Sequence, residues 1–220
     1  MEWRLLAALT PSQRRLVLAS TMRHRYAKGE TLFHEGDLAD TVHFVQEGRV
    51  VSRRTTPRGD VAAFAVLGPG EAFGEMAMLA QDHRRTSTIT AIEPVVTLTL
   101  RFDEFERLCD AHPEVQALLV AMLAQRVGRL STHLLDALYS PVDGRVLRTL
   151  LELCGQYADS EEPVELNLPL TQVEVAELSG AARPTANRFL RRLERDGLLR
   201  LHRGHVTVVD VPALRALRKP

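Results

Sequence analysis

The stretch Phe73-Gly74-Glu75-Met76-Ala77-Met78-Leu79, with Arg85-Thr86-Ser87 six residues further on, decides how the first half of this chain is read. Gly74 frees the backbone to turn and to present N–H groups. Arg85 supplies a guanidinium with the Thr86 hydroxyl beside it, and N–H clusters and guanidinium groups grip phosphate oxygens. Glu75 is useless against a phosphate, but its carboxylate can accept hydrogen bonds from a sugar hydroxyl. Together these residue types point to a small anionic sugar phosphate.

The surrounding sequence has strand texture. Thr31-Leu32-Phe33, Thr41-Val42-His43-Phe44-Val45, Arg49-Val50-Val51-Ser52 and Val61-Ala62-Ala63-Phe64 are short β-type segments. Gly29, Gly36, Gly48, Gly59, Gly68 and Gly70 punctuate them at the intervals of an antiparallel roll. Thr86 to Leu100 closes the block with β-branched residues, and no parallel βαβ alternation is present. Before it, Trp3 to Ser20 has helical periodicity that the turn-like Thr10-Pro11-Ser12 interrupts.

From Pro113 to Leu138 the period changes. Leu119, Leu123, Val127, Leu130, Leu134 and Leu138 recur at steps of three and four, which predicts one long helix with an apolar stripe. Such a stripe suits a partner helix, and Leu119, Leu123, Val127, Leu130 and Leu134 are the expected homodimer interface. Docking on the chain's own roll is the alternative for part of it. Ser140-Pro141 then restarts the chain, with Ser140 as the expected N-cap and Pro141 at the first helical position. Tyr139-Ser140-Pro141 is therefore the expected hinge. Arg145 to Tyr157 is amphipathic, and Asp159 to Pro163 reads as a polar loop.

Lys and Arg number 28 and Asp and Glu 28, but the balance is uneven. From Thr171 onward ten basic residues face five acidic ones. A local basic field on a neutral chain implies a polyanionic partner for that part alone. There, Thr171 to Ser179 opens with a capping residue and Glu174 three positions on. Gly180-Ala181-Ala182 breaks the pattern, and Arg183 to Asp196 forms a second helix, followed by a hairpin from Leu198 to Asp210 turning at Arg203-Gly204. This is a winged helix-turn-helix, whose second helix enters the major groove of double-stranded DNA. Ala186 and Phe189 would face inward, leaving Arg183, Thr185, Asn187, Arg188, Arg191 and Arg192 outward. Arg183 and Arg188 are the expected base readers, with guanine as their partner, while Arg191, Arg192 and Thr185 hold phosphate.

The fold class expected is α+β: an N-terminal antiparallel β-roll over residues 1–112, a long dimerisation helix over 113–138, and a C-terminal winged helix-turn-helix over 139–220. Phe73-Gly74-Glu75, Arg85-Thr86, Val142-Asp143-Gly144-Arg145 and the Thr171–Arg188 element, in this order, resemble the cAMP receptor protein family of bacterial transcription regulators. The resemblance spans about Leu5 to Val209. It implies a cyclic-nucleotide-binding roll with cAMP as allosteric effector, in which Gly74 offers backbone to the phosphate and Glu75 takes the ribose hydroxyl. Arg85 pairs with the phosphate, and Thr86 adds a hydroxyl. It also implies a homodimer reading palindromic DNA, acting as an activator in contact with RNA polymerase.

Departures from the family sharpen the reading. Where two adjacent hydroxyl residues meet the adenine, this chain has Leu130 and Ser131, so Ser131 alone is carried over. Pro184 stands in place of a base-reading glutamate. Surfaces that touch polymerase differ, with Glu161 and Glu162 in the loop and Glu104 in place of a lysine. Two alternatives share these residues: a DNA-binding regulator that needs no effector, with Glu75 and Arg85 as a structural ion pair, and a nucleotide-binding regulatory subunit without DNA binding.

Other classes fit poorly. Cys109 and Cys154 are far apart and form neither a cluster nor a disulfide framework. His34 and His43 lack the spacing of a metal cupin, and His43 and His83 are weak haem candidates. His202-Arg203-Gly204-His205 lacks a third ligand. The expectation is a non-enzymatic, metal-free, cytoplasmic protein with no membrane partner.

Overall fold

The computed structural model describes residues 3–158 and 165–217. The polar loop Asp159–Pro163 with Glu161 and Glu162, and the basic residues Arg218 and Lys219, lie outside the described residues. Two compact units are formed: residues 1–54 with 64–130, and residues 55–63 with 131–220.

The first unit opens with a 3-10 turn, Arg4–Leu6, and helix α1, Pro11–Ala19. Thr10 caps α1 in a capping box with Gln13, so Thr10-Pro11-Ser12 starts the helix rather than interrupting one. The roll follows: β1 (Met22–Tyr26), β2 (Thr31–Phe33), β3 (Thr41–Glu47), β4 (Val50–Thr55), β5 (Val61–Leu67) and β6 (Ala72–Phe73). A five-residue helix, α2 (Glu75–Leu79), precedes β7 (Thr88–Ala91) and β8 (Val95–Arg101). Two four-stranded sheets result, in the orders β1-β8-β3-β6 and β2-β7-β4-β5. Thr86 to Leu100 is thus two strands, split at a bend beside Pro94 that lets each serve a different sheet. Gly48 sits in this crossing with φ +73°, where a Cβ would strike the Pro94 carbonyl.

Alternation along β3 feeds two cores. Val42 and Phe44 face outward from the roll and pack with Trp3, Leu5, Leu6 and Leu9 of the N-terminal turn. Helix α3 (Phe102–Ala111) lays Phe102, Phe105 and Leu108 on the same cluster. Val45, on the other face of β3, joins Val50, Phe73, Ile89 and Val95 inside the roll.

Helix α4, Pro113–Tyr139, has 27 residues, and the division between the units falls within it, after Leu130. Its stripe is not one surface. Val115 and Leu119 are buried in the first unit's core, with Leu123 packed against them, so Leu119 at 4% exposure is withdrawn from the proposed dimer seam. Val127, Leu130 and Leu134 are 63%, 46% and 60% exposed within the chain.

In the second unit, α5 (Val142–Tyr157) begins with Pro141 at the N-cap position. Ser140 is not the cap. Its hydroxyl bonds back to the Asp136 carboxylate, 2.9 Å away, at the end of α4. Strand β9 (Leu166–Leu168), helices α6 (Gln172–Leu178) and α7 (Arg183–Arg195), strands β10 (Leu199–Leu201) and β11 (Val206–Val208), and helix α8 (Val211–Ala216) complete it. The expected hairpin is present, and β9 adds a third strand beside β11. Val146, Leu150, Val175, Leu190, Leu193 and Leu214 are among its fully buried residues.

Candidate functional site

Gly74, Glu75, Arg85 and Thr86 come together in the first unit, and each charged member has a partner there. Gly74 follows β6 at φ +87°, and a Cβ there would run into the Arg85 guanidinium. That guanidinium, 6% exposed, donates from Nη1 to the Thr41 carbonyl at 2.8 Å and the Gly74 carbonyl at 3.3 Å. Its Nη2 donates to Thr41 Oγ1 at 3.0 Å, and its plane lies 4.1 Å from the Phe33 ring centroid. Burial holds the Arg85 pKa below the usual guanidinium value, against the pull of the Asp40, Asp37 and Glu75 carboxylates. Thr86 is half-buried, its hydroxyl 3.9 Å from Met76 Sδ.

Glu75 is wholly buried at the start of α2. Its partner is Arg126 on α4, which donates to Glu75 Oε1 and, at 2.6 Å, to the Ala72 carbonyl. The expected alternative of a Glu75–Arg85 ion pair is corrected here: Arg85 is spent on backbone and hydroxyl oxygens, and Arg126 takes the carboxylate. Burial raises the Glu75 pKa above the usual carboxylate range, and the Arg126 charge opposes that. Glu75 Oε2 has no hydrogen bond among the described residues.

Arg126 is the side chain of this candidate site that reading the sequence missed. Its signal was present, since it lies seven residues after Leu119 and three after Leu123, a charge on the side of the helix that packs on the core. Ser131 is exposed on α4 and belongs to the second unit; the first unit brings together Gly74, Glu75, Arg85, Thr86 and Arg126 without it.

His43 shares the inner face of β3 with Thr41. It stacks on Phe73 with centroids 4.9 Å apart and lies 5.5 Å from Phe33, forming an aromatic floor beside Arg85. Burial, reinforced by the charge of Arg85, lowers its pKa to about 3, so the imidazole is neutral.

The second unit assembles the helix-turn-helix. Thr171 Oγ1 accepts from the Glu174 N–H at 3.2 Å, while Glu174 Oε2 accepts from the Thr171 N–H at 2.7 Å, closing a capping box on α6. Gly180 turns the chain at φ +57°, and α7 follows with Pro184 in its first turn. Ala176 and Ala186 are both buried, small enough for close packing, and Phe189, Leu190 and Leu193 complete the inner side of α7.

The six proposed DNA contacts separate by their partners. Arg183, Asn187 and Arg188 are exposed, and no hydrogen bond or ion pair engages them among the described residues. Thr185 is half-buried. Arg191 pairs with Glu194 at 2.7 Å. Arg192 pairs with Asp143 on α5 at 2.8 Å and lies 4.7 Å over Phe189, so α5 already holds it. At the wing tip the His202 and His205 rings stack 4.2 Å apart across the turn, with Arg203 exposed between them. Arg145, also missed as a site residue, donates to the Ala137 carbonyl at 3.0 Å and the Gly180 carbonyl at 3.1 Å. It thereby ties the end of α4 to the turn before α7.

Two family models match the chain. The cyclic nucleotide-binding domain covers residues 23–112, and the Crp-like helix-turn-helix domain covers residues 144–217. A CRP-like cAMP-activated global transcriptional regulator of Mycobacterium tuberculosis is 31% identical over 84% of this chain and 83% of its own length. A cyclic AMP receptor protein of Thermus thermophilus is 32% identical over 97% of this chain and 95% of its own. Among solved structures, a catabolite activator protein from Thermus thermophilus is 31% identical with a TM-score of 0.56, covering 97% of each chain. A c-di-GMP-responsive global regulator of Xanthomonas campestris shares the fold, with a TM-score of 0.78 at 23% identity over 90% of this chain and 99% of its own. With both models matched in order, and with relatives above 30% identity along most of its length, the chain belongs to the cAMP receptor protein family of DNA-binding transcription regulators.

Proposed function

We propose that this regulator works as a homodimer that reads a palindromic DNA site under the control of cAMP bound in the roll. The observation that carries the reading is the burial of Arg85 and Glu75 on either side of Gly74. Burying two charged side chains costs desolvation that their pairing offsets only in part, so their place in the roll points to a ligand that uses them. The relatives named for cAMP support that nucleotide over others; the c-di-GMP-responsive neighbour shares the fold alone and supports only the architecture.

In this reading Arg85 exchanges its bonds to the Thr41 and Gly74 carbonyls for the cyclic phosphate, with Thr86 and the backbone at Gly74 completing the anion site. Glu75, with one oxygen lacking a partner, accepts from the ribose hydroxyl. Ser131 remains the candidate for the base. Because Arg126 is held by Glu75 and by the Ala72 carbonyl, any change at Glu75 is felt directly by α4. Ligand therefore biases α4 and, through it, the spacing of the two α7 helices, by preferring one of two populated arrangements. Contact with RNA polymerase rests on family membership.

The test is calorimetric titration of the purified protein with cAMP, with cGMP and c-di-GMP as controls, followed by DNA binding with and without saturating nucleotide. Micromolar or tighter binding of cAMP alone, lost in Arg85→Ala, is expected, together with at least a fivefold gain in DNA affinity. Absence of heat with unimpaired DNA binding would replace this reading with an effector-independent regulator controlled by its abundance.

A further inference from the structure

The outward face of α7 is chemically uneven. At about 100° per residue, Pro184 stands about two and a half turns before the buried Leu193 and so faces directly away from the core. Arg183 precedes it, and Asn187 and Arg188 lie one turn further on, all exposed. The surface offered by the start of the helix is thus three hydrogen-bonding side chains around one apolar ring. In a helix-turn-helix these N-terminal residues of the second helix are the ones that reach base edges.

A proline ring at the centre of that surface has definite consequences. It carries neither donor nor acceptor, so a base edge lodged against it loses water and gains no hydrogen bond. Guanine and adenine present polar groups in the major groove and cytosine its N4 amino group beside a bare C5–H, whereas thymine alone presents a methyl group, at C5. The ring also has no rotamer freedom to lose, and its fixed φ suits the first turn of α7. We propose that α7 reads one thymine in each half-site through that methyl group, packed on the Pro184 ring, between polar contacts from Arg183, Asn187 and Arg188. This rests on the DNA-binding reading of α7 and is independent of the effector.

The full-length protein would first be used to select its half-site from random duplexes. Each thymine of the selected site is then replaced by deoxyuridine, which removes only the methyl group, and affinity is measured by fluorescence anisotropy for wild type and Pro184→Glu. Glutamate is at home in the first turn of a helix, so the variant folds. In wild type one thymine per half-site should show a loss of about fourfold on replacement, the value of one buried methyl-sized group. Pro184→Glu should show no loss there and should prefer cytosine, whose N4 donates to the carboxylate. Equal thymine-to-uracil ratios in both proteins at every position, or a selected half-site without thymine, would overturn the proposal. Failure to select any motif both with and without saturating cAMP would overturn the DNA-binding reading along with it.

Discussion

Arg85 and His43 show how the roll prepares a polar site inside an apolar shell. A surface arginine can be removed at little cost, but Arg85 is buried and satisfies two backbone carbonyls and a hydroxyl. Arg85→Ala therefore removes more than a ligand contact, and the loss of its three bonds lowers stability as well. His43 lies beside it as a neutral ring. Its proton is held less readily in the folded state, where the pKa is about 3, than at the ordinary 6.5 of the unfolded chain. The sign follows: the neutral ring contributes stability above about pH 6.5, and that contribution is lost as pH falls toward 3. Urea unfolding of wild type and His43→Phe between pH 7.5 and 4 should show the difference shifting against wild type by about 1.4 kcal/mol per pH unit below 6.5. A difference that does not vary with pH would contradict the burial assigned to this ring. The sequence announces Gly74, Glu75, Arg85 and Thr86 by their types and spacing, yet Thr41, which holds Arg85, lies 44 residues away and Arg126, which holds Glu75, 51 residues away, and no local pattern encodes either pairing.

At the scale of elements, the helix signals were the most legible. The Thr171–Glu174 capping box sits where its sequence places it, because both bonds lie within four residues of chain. Thr171→Ala should lower the opening free energy of the α6 amides by about 1 kcal/mol, read by hydrogen exchange, with the selected DNA site unchanged. An altered site preference would mean that the cap positions α7 as well as α6. Less was visible in the strands. Strand β1, Met22-Arg23-His24-Arg25-Tyr26, has no apolar run, and it forms because an edge place beside β8 lets its basic side chains stay in solvent. Helix α3 and strand β6 were likewise silent: β6 has two residues, and α3 follows β8 without a loop. Ser140 looked like a cap, but a hydroxyl next to Pro141 found the Asp136 carboxylate first.

For the whole molecule, the decisive surface is the exposed part of the α4 stripe. Leu119 and Leu123 are used by the roll's own core, while Leu130 and Leu134 stand about half exposed, more apolar surface than a lone helix leaves to water without use. Leu130→Asp should convert a dimer into a monomer by light scattering, because a carboxylate in a helix seam is desolvated without a partner. It should also cut DNA affinity by at least tenfold, since each monomer holds one half-site. A dimer that survives the change would move the seam elsewhere.

By itself the sequence determined the order of parts. Those parts are a glycine-punctuated antiparallel roll, a long helix, and an arginine-rich helix-turn-helix with a wing. Short-range physics governs these: periodicity, turn residues and caps act over a few residues of chain. It also placed the chemical groups of the candidate sites, with the exception of Arg126 and Arg145. Only the tertiary structure decided which groups are engaged and which are free. It assigned Arg126 to Glu75, Arg85 to the Thr41 and Gly74 oxygens, Arg192 to Asp143, and divided one leucine stripe between a core and an open face. The physical reason is that burial and pairing depend on distances between residues remote in the chain, and a buried charge takes whichever partner the packing brings within reach.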